Sequence, residues 1–168
     1  MESGDHSKNG AIPKSQTSRT NFQLKIMEVK VNLIAVLVSV VVNFVLGFIW
    51  YTPLFGRVWG KEMGYDPTVK PEKSAMFKGM AFMVIGNFLF AWVFAHNIAA
   101  WEFVPGMADM GSLSKVLSAS IFTWLGFYFP GQLGATVWEK NSWKLFAINT
   151  GYSLTSLLVV AFILTIWK

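Results

Sequence analysis

Cysteine is absent from the 168-residue chain, and with it go disulfides, thiolate metal sites and thiol nucleophiles. Charge is missing where a soluble protein would carry it. Val31–Gly56 (26 residues), Gly79–Trp101 (23), Val116–Trp138 (23) and Leu145–Trp167 (23) contain no Asp, Glu, Lys or Arg. A helix on the surface of a water-soluble domain charges its outward face, so runs of this length exclude such a domain. The 54% hydrophobic content excludes a disordered chain, and the missing cysteines exclude a secreted disulfide scaffold. A run of 23 residues reaches roughly 34 Å as a helix, against a hydrocarbon core about 30 Å thick. Barrel strands of alternating polarity do not fit the pattern. The sequence therefore predicts an all-α integral membrane protein with four transmembrane helices, spanning about 31–53, 77–100, 116–137 and 145–167.

The charges that exist lie between these runs. A net charge of +5 would suggest nucleic acid in a soluble protein. Beside apolar spans the same lysines read as membrane anchors and topology signals, with no nucleic-acid partner. Residues 1–30 are polar and predict a disordered tail, and no cleavable signal peptide is visible, because Val31–Tyr51 is too long for one. The longest connection, Arg57–Lys78, has an Asp66-Pro67 turn and a helix start at Lys70-Pro71-Glu72. Glu102–Lys115 has a Pro105-Gly106 turn, with Ser112 or Ser114 to cap the next helix. Glu139–Lys144 is short enough to force the last two helices antiparallel. The first and third connections hold seven basic residues, against five on the other side once the distant Lys8 and Lys14 are discounted. That balance predicts both termini outside, in a cell membrane. Trp50, Trp59, Trp138 and Trp143 mark one interface and Trp101 and Trp167 the other, while Trp92 and Trp124 are expected to pack inside.

Ionisable groups at membrane depth are the usual equipment of pumps and voltage sensors. Here only His96 titrates inside a span, and no second histidine stands near it to complete a haem or metal site. His-Glu-x-x-His is absent, and Gly151-Tyr152-Ser153-Leu154-Thr155 breaks the Gly-x-Ser-x-Gly pattern at its last position. The expectation is a protein that is not an enzyme and holds no cofactor or metal. Small and polar residues instead form ridges: Ala35, Ser39, Asn43 and Gly47 on the first span, with Val36 on the lipid side. Gly79, Asn87, Ala91 and Ala95 lie on the second span, and Ala147, Gly151 and Thr155 on the fourth. Such ridges let helix backbones approach, and an asparagine in lipid needs a partner, so an Asn43–Asn87 hydrogen bond is expected. The alternative is a self-association face. Pro53 and Pro130 each remove a backbone donor near a span's end.

One segment is distinctive. Gly47-Phe48-Ile49-Trp50-Tyr51-Thr52-Pro53-Leu54-Phe55-Gly56-Arg57-Val58-Trp59, followed by Met63-Gly64, resembles the signature of a small membrane family called domain of unknown function 1761. Trp124-Leu125-Gly126-Phe127, Phe146-Ala147-Ile148-Asn149 and Gly151-Tyr152 are similar to its later part. The resemblance covers about residues 29–167, and Met1–Ile26 departs from it. It implies a membrane-embedded helical fold and carries no biochemistry, so Gly47, Trp50, Tyr51, Thr52, Pro53, Phe55, Gly56 and Trp59 are motif positions without assigned roles.

A second pattern is internal. Laid over Gly126–Lys140 at an offset of 79, Gly47–Lys61 matches at six of fifteen positions, which suggests a two-plus-two repeat about an axis along the membrane normal. A neutral-solute site would then lie between the halves near Asn43, Asn87 and Asn149. Two functional readings follow. One is a structural or accessory membrane subunit acting through helix packing, partnered by the bilayer and by itself or another membrane protein. The other is a small oligomeric permease or channel for neutral or apolar solutes.

Overall fold

The computed structural model describes residues 30–66, 69 and 72–167. The expected tail and the prolines of the first connection, Pro67 and Pro71, lie outside them. Among the described residues the regular structure is helical throughout. Helix α1 (Leu33–Ile49) runs into a π turn (Trp50–Leu54) and then a short helix α2 (Gly56–Glu62). Helix α3 (Lys73–Trp101) follows, then α4 (Ser112–Thr123), a second π turn (Trp124–Tyr128), α5 (Phe129–Trp138) and α6 (Trp143–Ile166).

The boundaries have local causes. Asn32 Oδ1 accepts from the amides of Ile34 and Ala35 at 3.0 and 3.3 Å, opening α1. Ser142 Oγ accepts from the Leu145 amide at 3.1 Å, opening α6. The serine cap expected for α4 is not used. The Gly111 carbonyl takes the first helical bond, from Lys115 N at 3.0 Å, which makes Gly111 the cap and draws Ser112 inside the helix. Helix α2, which lies within the connection Arg57–Lys78 but for its first residue, ends on Gly64 at φ 71°. The amides of Gly64 and Tyr65 bond back to the carbonyls of Lys61 and Gly60, a closure that requires the left-handed backbone glycine adopts without strain.

Both π turns sit beside a proline. Pro53 has no amide for the carbonyl four residues back, so the helix widens and Phe55 N bonds to Trp50 O at 2.9 Å, five residues away. The second π turn closes in the same way, from Phe129 N to Trp124 O, just ahead of Pro130. In each, the tryptophan meets the phenylalanine five residues on, with ring centroids 4.9 Å apart for Trp50–Phe55 and 5.1 Å for Trp124–Phe129.

Three helices are long and apolar enough to cross a bilayer: Leu33–Leu54, Lys73–Trp101 and Trp143–Ile166. Four had been expected. The stretch 116–137 is helical along its length, but Ser118, Ser120, Gly126, Pro130, Gly131 and Gln132 dilute its apolar character. Helix α6 is the centre of the bundle: α1, α4 and α5 all pack on it, and α3 packs on both α1 and α6. One core joins Val36 and Val40 of α1, Phe94 and Ile98 of α3, and Leu157 and Val160 of α6. Val36, expected on the lipid side, is fully buried, because α1 lies between two neighbours and so buries a stripe wider than its small-residue ridge. Trp92, expected to pack inside, is 41% exposed on the outer side of α3. The two π turns begin 74 positions apart, not 79. The packing is also unequal between the halves, since α1 lies along α6 while the equivalent pair, α3 with α4, is much less closely packed.

Candidate functional site

Ala35, Ser39, Asn43 and Gly47 recur every four residues, so they share one face of α1, and all four are buried. Asn43 lies where that face meets two helices at once. Its Nδ2 donates to Asn87 Oδ1 on α3 at 2.7 Å, and its Oδ1 accepts from Ser156 Oγ on α6 at 2.7 Å. One asparagine thus joins three helices. Asn87 Nδ2 is buried with no hydrogen-bond partner.

The seam continues toward the π turns. Gly47 leaves room for Tyr152, whose ring stands 5.0 Å from that of Tyr51. Tyr51 Oη donates to Asn149 Oδ1 at 3.1 Å. Trp50 Nε1 donates to Ile148 O at 3.1 Å, and Trp124 Nε1 donates to Thr150 O at 2.9 Å. The widened turns set both indoles against α6, and Gly151, just after these acceptors, is what admits Trp50, since a β-carbon there would come 3.3 Å from its ring. Beyond the seam, Tyr51 meets Trp59 edge-on at 5.4 Å, and Trp59 stacks on Tyr65 at 5.5 Å. Gly56 is required by close approach, because a β-carbon would lie 2.8 Å from the Tyr51 carbonyl oxygen.

A family model described as a protein of unknown function, DUF1761, matches residues 34–165. The chain belongs to that family. No curated protein and no solved structure matches it. The DUF1761 match begins at the second residue of α1 and stops one residue short of the end of α6, so the whole seam falls inside it.

Within this DUF1761 bundle the structure brings Asn43, Gly47, Asn87 and Asn149 onto one connected face together with Trp50, Tyr51 and Trp59. Thr52 and Pro53 of the same motif are exposed, and the Phe55 ring meets that of Trp50 at a tilt of 45°. His96 stands apart. Its Nδ1 donates to Trp92 O on its own helix at 2.8 Å, and its ring meets that of Trp92 edge-on. On α6 the face in use carries Asn149, Tyr152 and Ser156, displaced from the ridge of Ala147, Gly151 and Thr155 read from the sequence; Ala147 is exposed. Tyr152, Ser156 and the anchoring role of Trp124 were missed. The signal for them was the 3–4 spacing of hydrogen-bonding side chains at 149, 152 and 156, which a search for small residues passes over. Among the described residues no group of three or more His, Cys, Asp or Glu is placed to hold a metal ion. The seam's groups are neutral donors and acceptors, and nearly all of them are spent on one another. Chemically, that arrangement fastens helices.

Proposed function

We propose that this DUF1761 chain is a four-span integral membrane protein of the cell membrane, without enzymatic activity, serving as a structural or accessory subunit through its packing faces. The outward-facing side chains support the membrane setting. Phe48 on α1, Phe82 and Val93 on α3, and Phe127 in the second π turn are all more than half exposed, an apolar surface that soluble monomers rarely present. The continuous helical track 112–138 supplies the fourth crossing in this reading. Its Ser120 and Thr136 are buried against the bundle, where polar residues of a spanning helix are tolerated. The arginine and lysines of the first and third connections put those loops in the cytoplasm and both termini outside.

The observation that carries the subunit reading is Asn43, which spends its amide on Asn87 and Ser156. A solute site would leave such groups facing a space; here they close on each other. The test is purification of the full chain from native membranes under mild detergent. A stoichiometric membrane-protein partner or a homo-oligomer supports the proposal. Solute-dependent flux in liposomes holding this protein alone would overturn it in favour of a permease for neutral solutes, a second reading favoured by the buried, unpartnered Asn87 Nδ2.

A further inference from the structure

Helix α2 and the turn between α5 and α6 meet at one end of the bundle. Lys144 Nζ lies 3.8 Å from Glu62 Oε1, and α2 packs on α6. Arg57 and Lys61 are four residues apart, so they share a face of α2, and both are exposed. Lys140 stands in the turn with φ 58°, a left-handed residue that reverses the chain, and it too is exposed. The Lys144 side chain is 73% exposed even with Glu62 beside it, and an ion pair that open holds its partner weakly. At the opposite end Lys115 is paired with Glu102 at 3.6 Å and is largely covered.

The aromatic residues at the two helix ends that flank the turn point to what lies over these cations. Trp138 is 85% exposed and Trp143 66% exposed, one on each side of Lys140. Indoles that open to the surroundings sit favourably where hydrocarbon meets headgroups, ring on the acyl side and N–H on the polar side. Lysine and arginine stems reach outward from the same level to put their charges among phosphates. A free phosphate in water would account for the cations and leave both indoles unexplained. An anionic lipid accounts for both.

We propose that Arg57, Lys61, Lys140 and Lys144, with Trp138 and Trp143 on either side of Lys140 in the chain, form a docking surface for the phosphate-bearing headgroups of anionic phospholipids. The proposal rests on the membrane reading above. The test uses the full chain in phosphatidylcholine vesicles, with brominated phosphatidylglycerol or brominated phosphatidylcholine as the fluorescence quencher. The chain has eight tryptophans, so the signal is the difference between the native protein and W138F/W143F. Brominated phosphatidylglycerol is expected to quench these two indoles at a severalfold lower mole fraction than brominated phosphatidylcholine. High salt, K140Q/K144Q and R57Q/K61Q should each reduce that preference, with helical circular dichroism unchanged. Equal quenching by the two lipids in the native protein overturns the proposal, as does a preference that survives all four substitutions together. Absence of quenching of any tryptophan by either lipid overturns the membrane reading itself.

Discussion

Gly47 and Tyr152 meet across the contact of α1 with α6 so closely that a β-carbon on Gly47 would stand 3.0 Å from the Tyr152 hydroxyl oxygen. The phenol must give way to anything larger than hydrogen. Gly47→Leu is expected to lower stability by roughly 1–3 kcal/mol through overpacking, and Gly47→Ala by less. Because the obstructing atom is the hydroxyl, Tyr152→Phe should recover part of the alanine's cost in a double-mutant cycle. Val41→Leu, on the exposed side of α1, is the control. Thermal unfolding in detergent measures all of them, and equal melting of Gly47→Leu and Val41→Leu would show that no close contact exists.

Asn43→Leu leaves Asn87 Oδ1 and Ser156 Oγ facing a hydrocarbon side chain. The expected loss is about 0.6–1.7 kcal/mol, the scale of hydrogen bonds between helices in lipid. Adding Asn87→Leu should cost less than it does alone, since its partner is already gone. Strict additivity of the two in unfolding experiments would break the link between α1 and α3.

Trp50→Phe and Trp124→Phe keep an aromatic ring against Phe55 and Phe129 and delete one N–H···O bond each. Each should cost about 0.5–1.5 kcal/mol. The acceptor carbonyls of Ile148 and Thr150 belong to different residues, so the double variant should lose close to the sum. An unchanged melting temperature in both single variants would reduce the indoles to space-filling groups.

Sidedness is open to direct labelling because the chain has no native thiol. Ser74 and Ala108 are both exposed, at opposite ends of α3. An impermeant maleimide applied to intact cells should label Ala108→Cys and spare Ser74→Cys until the membrane is opened. The reverse pattern inverts the topology.

Much of this was legible because a long run without a charged residue leaves few alternatives to a helix with apolar surroundings. Charge-free runs located α1, α3 and α6 within a few residues, and four-residue spacing located the buried face of α1. The Asn43–Asn87 bond could be anticipated because an amide buried among apolar side chains must find a partner, and each of these interrupts an apolar run. Other features were hidden for physical reasons. A π turn adds one residue to a helix without changing its hydropathy, so the widening at Trp50 and Trp124 left no mark in the pattern. Trp50 read as an interfacial residue because indoles usually serve there, yet its N–H is committed to Ile148 O. Ser156 was passed over because serine in a spanning helix most often bonds its own backbone, as Thr155 does to Gly151 O at 2.9 Å. The breadth of the buried stripe on α1, which takes in Val36, depends on having two neighbours, and no single helix encodes that.

The central position of α6 has a consequence for the order of synthesis. It is the last helix of the bundle in chain order, yet it supplies the acceptors for Trp50, Tyr51 and Trp124 and the hydroxyl donated to Asn43. A nascent chain that has delivered only α1 to α5 carries those groups unanswered, while α1 and α3 are already joined by the Asn43–Asn87 bond and by the packing of their apolar faces. The hydrogen bonds that cross to α6 therefore form only once Trp143–Ile166 is present. Until then Trp50, Tyr51, Asn43 and Trp124 each lack the partner that α6 supplies.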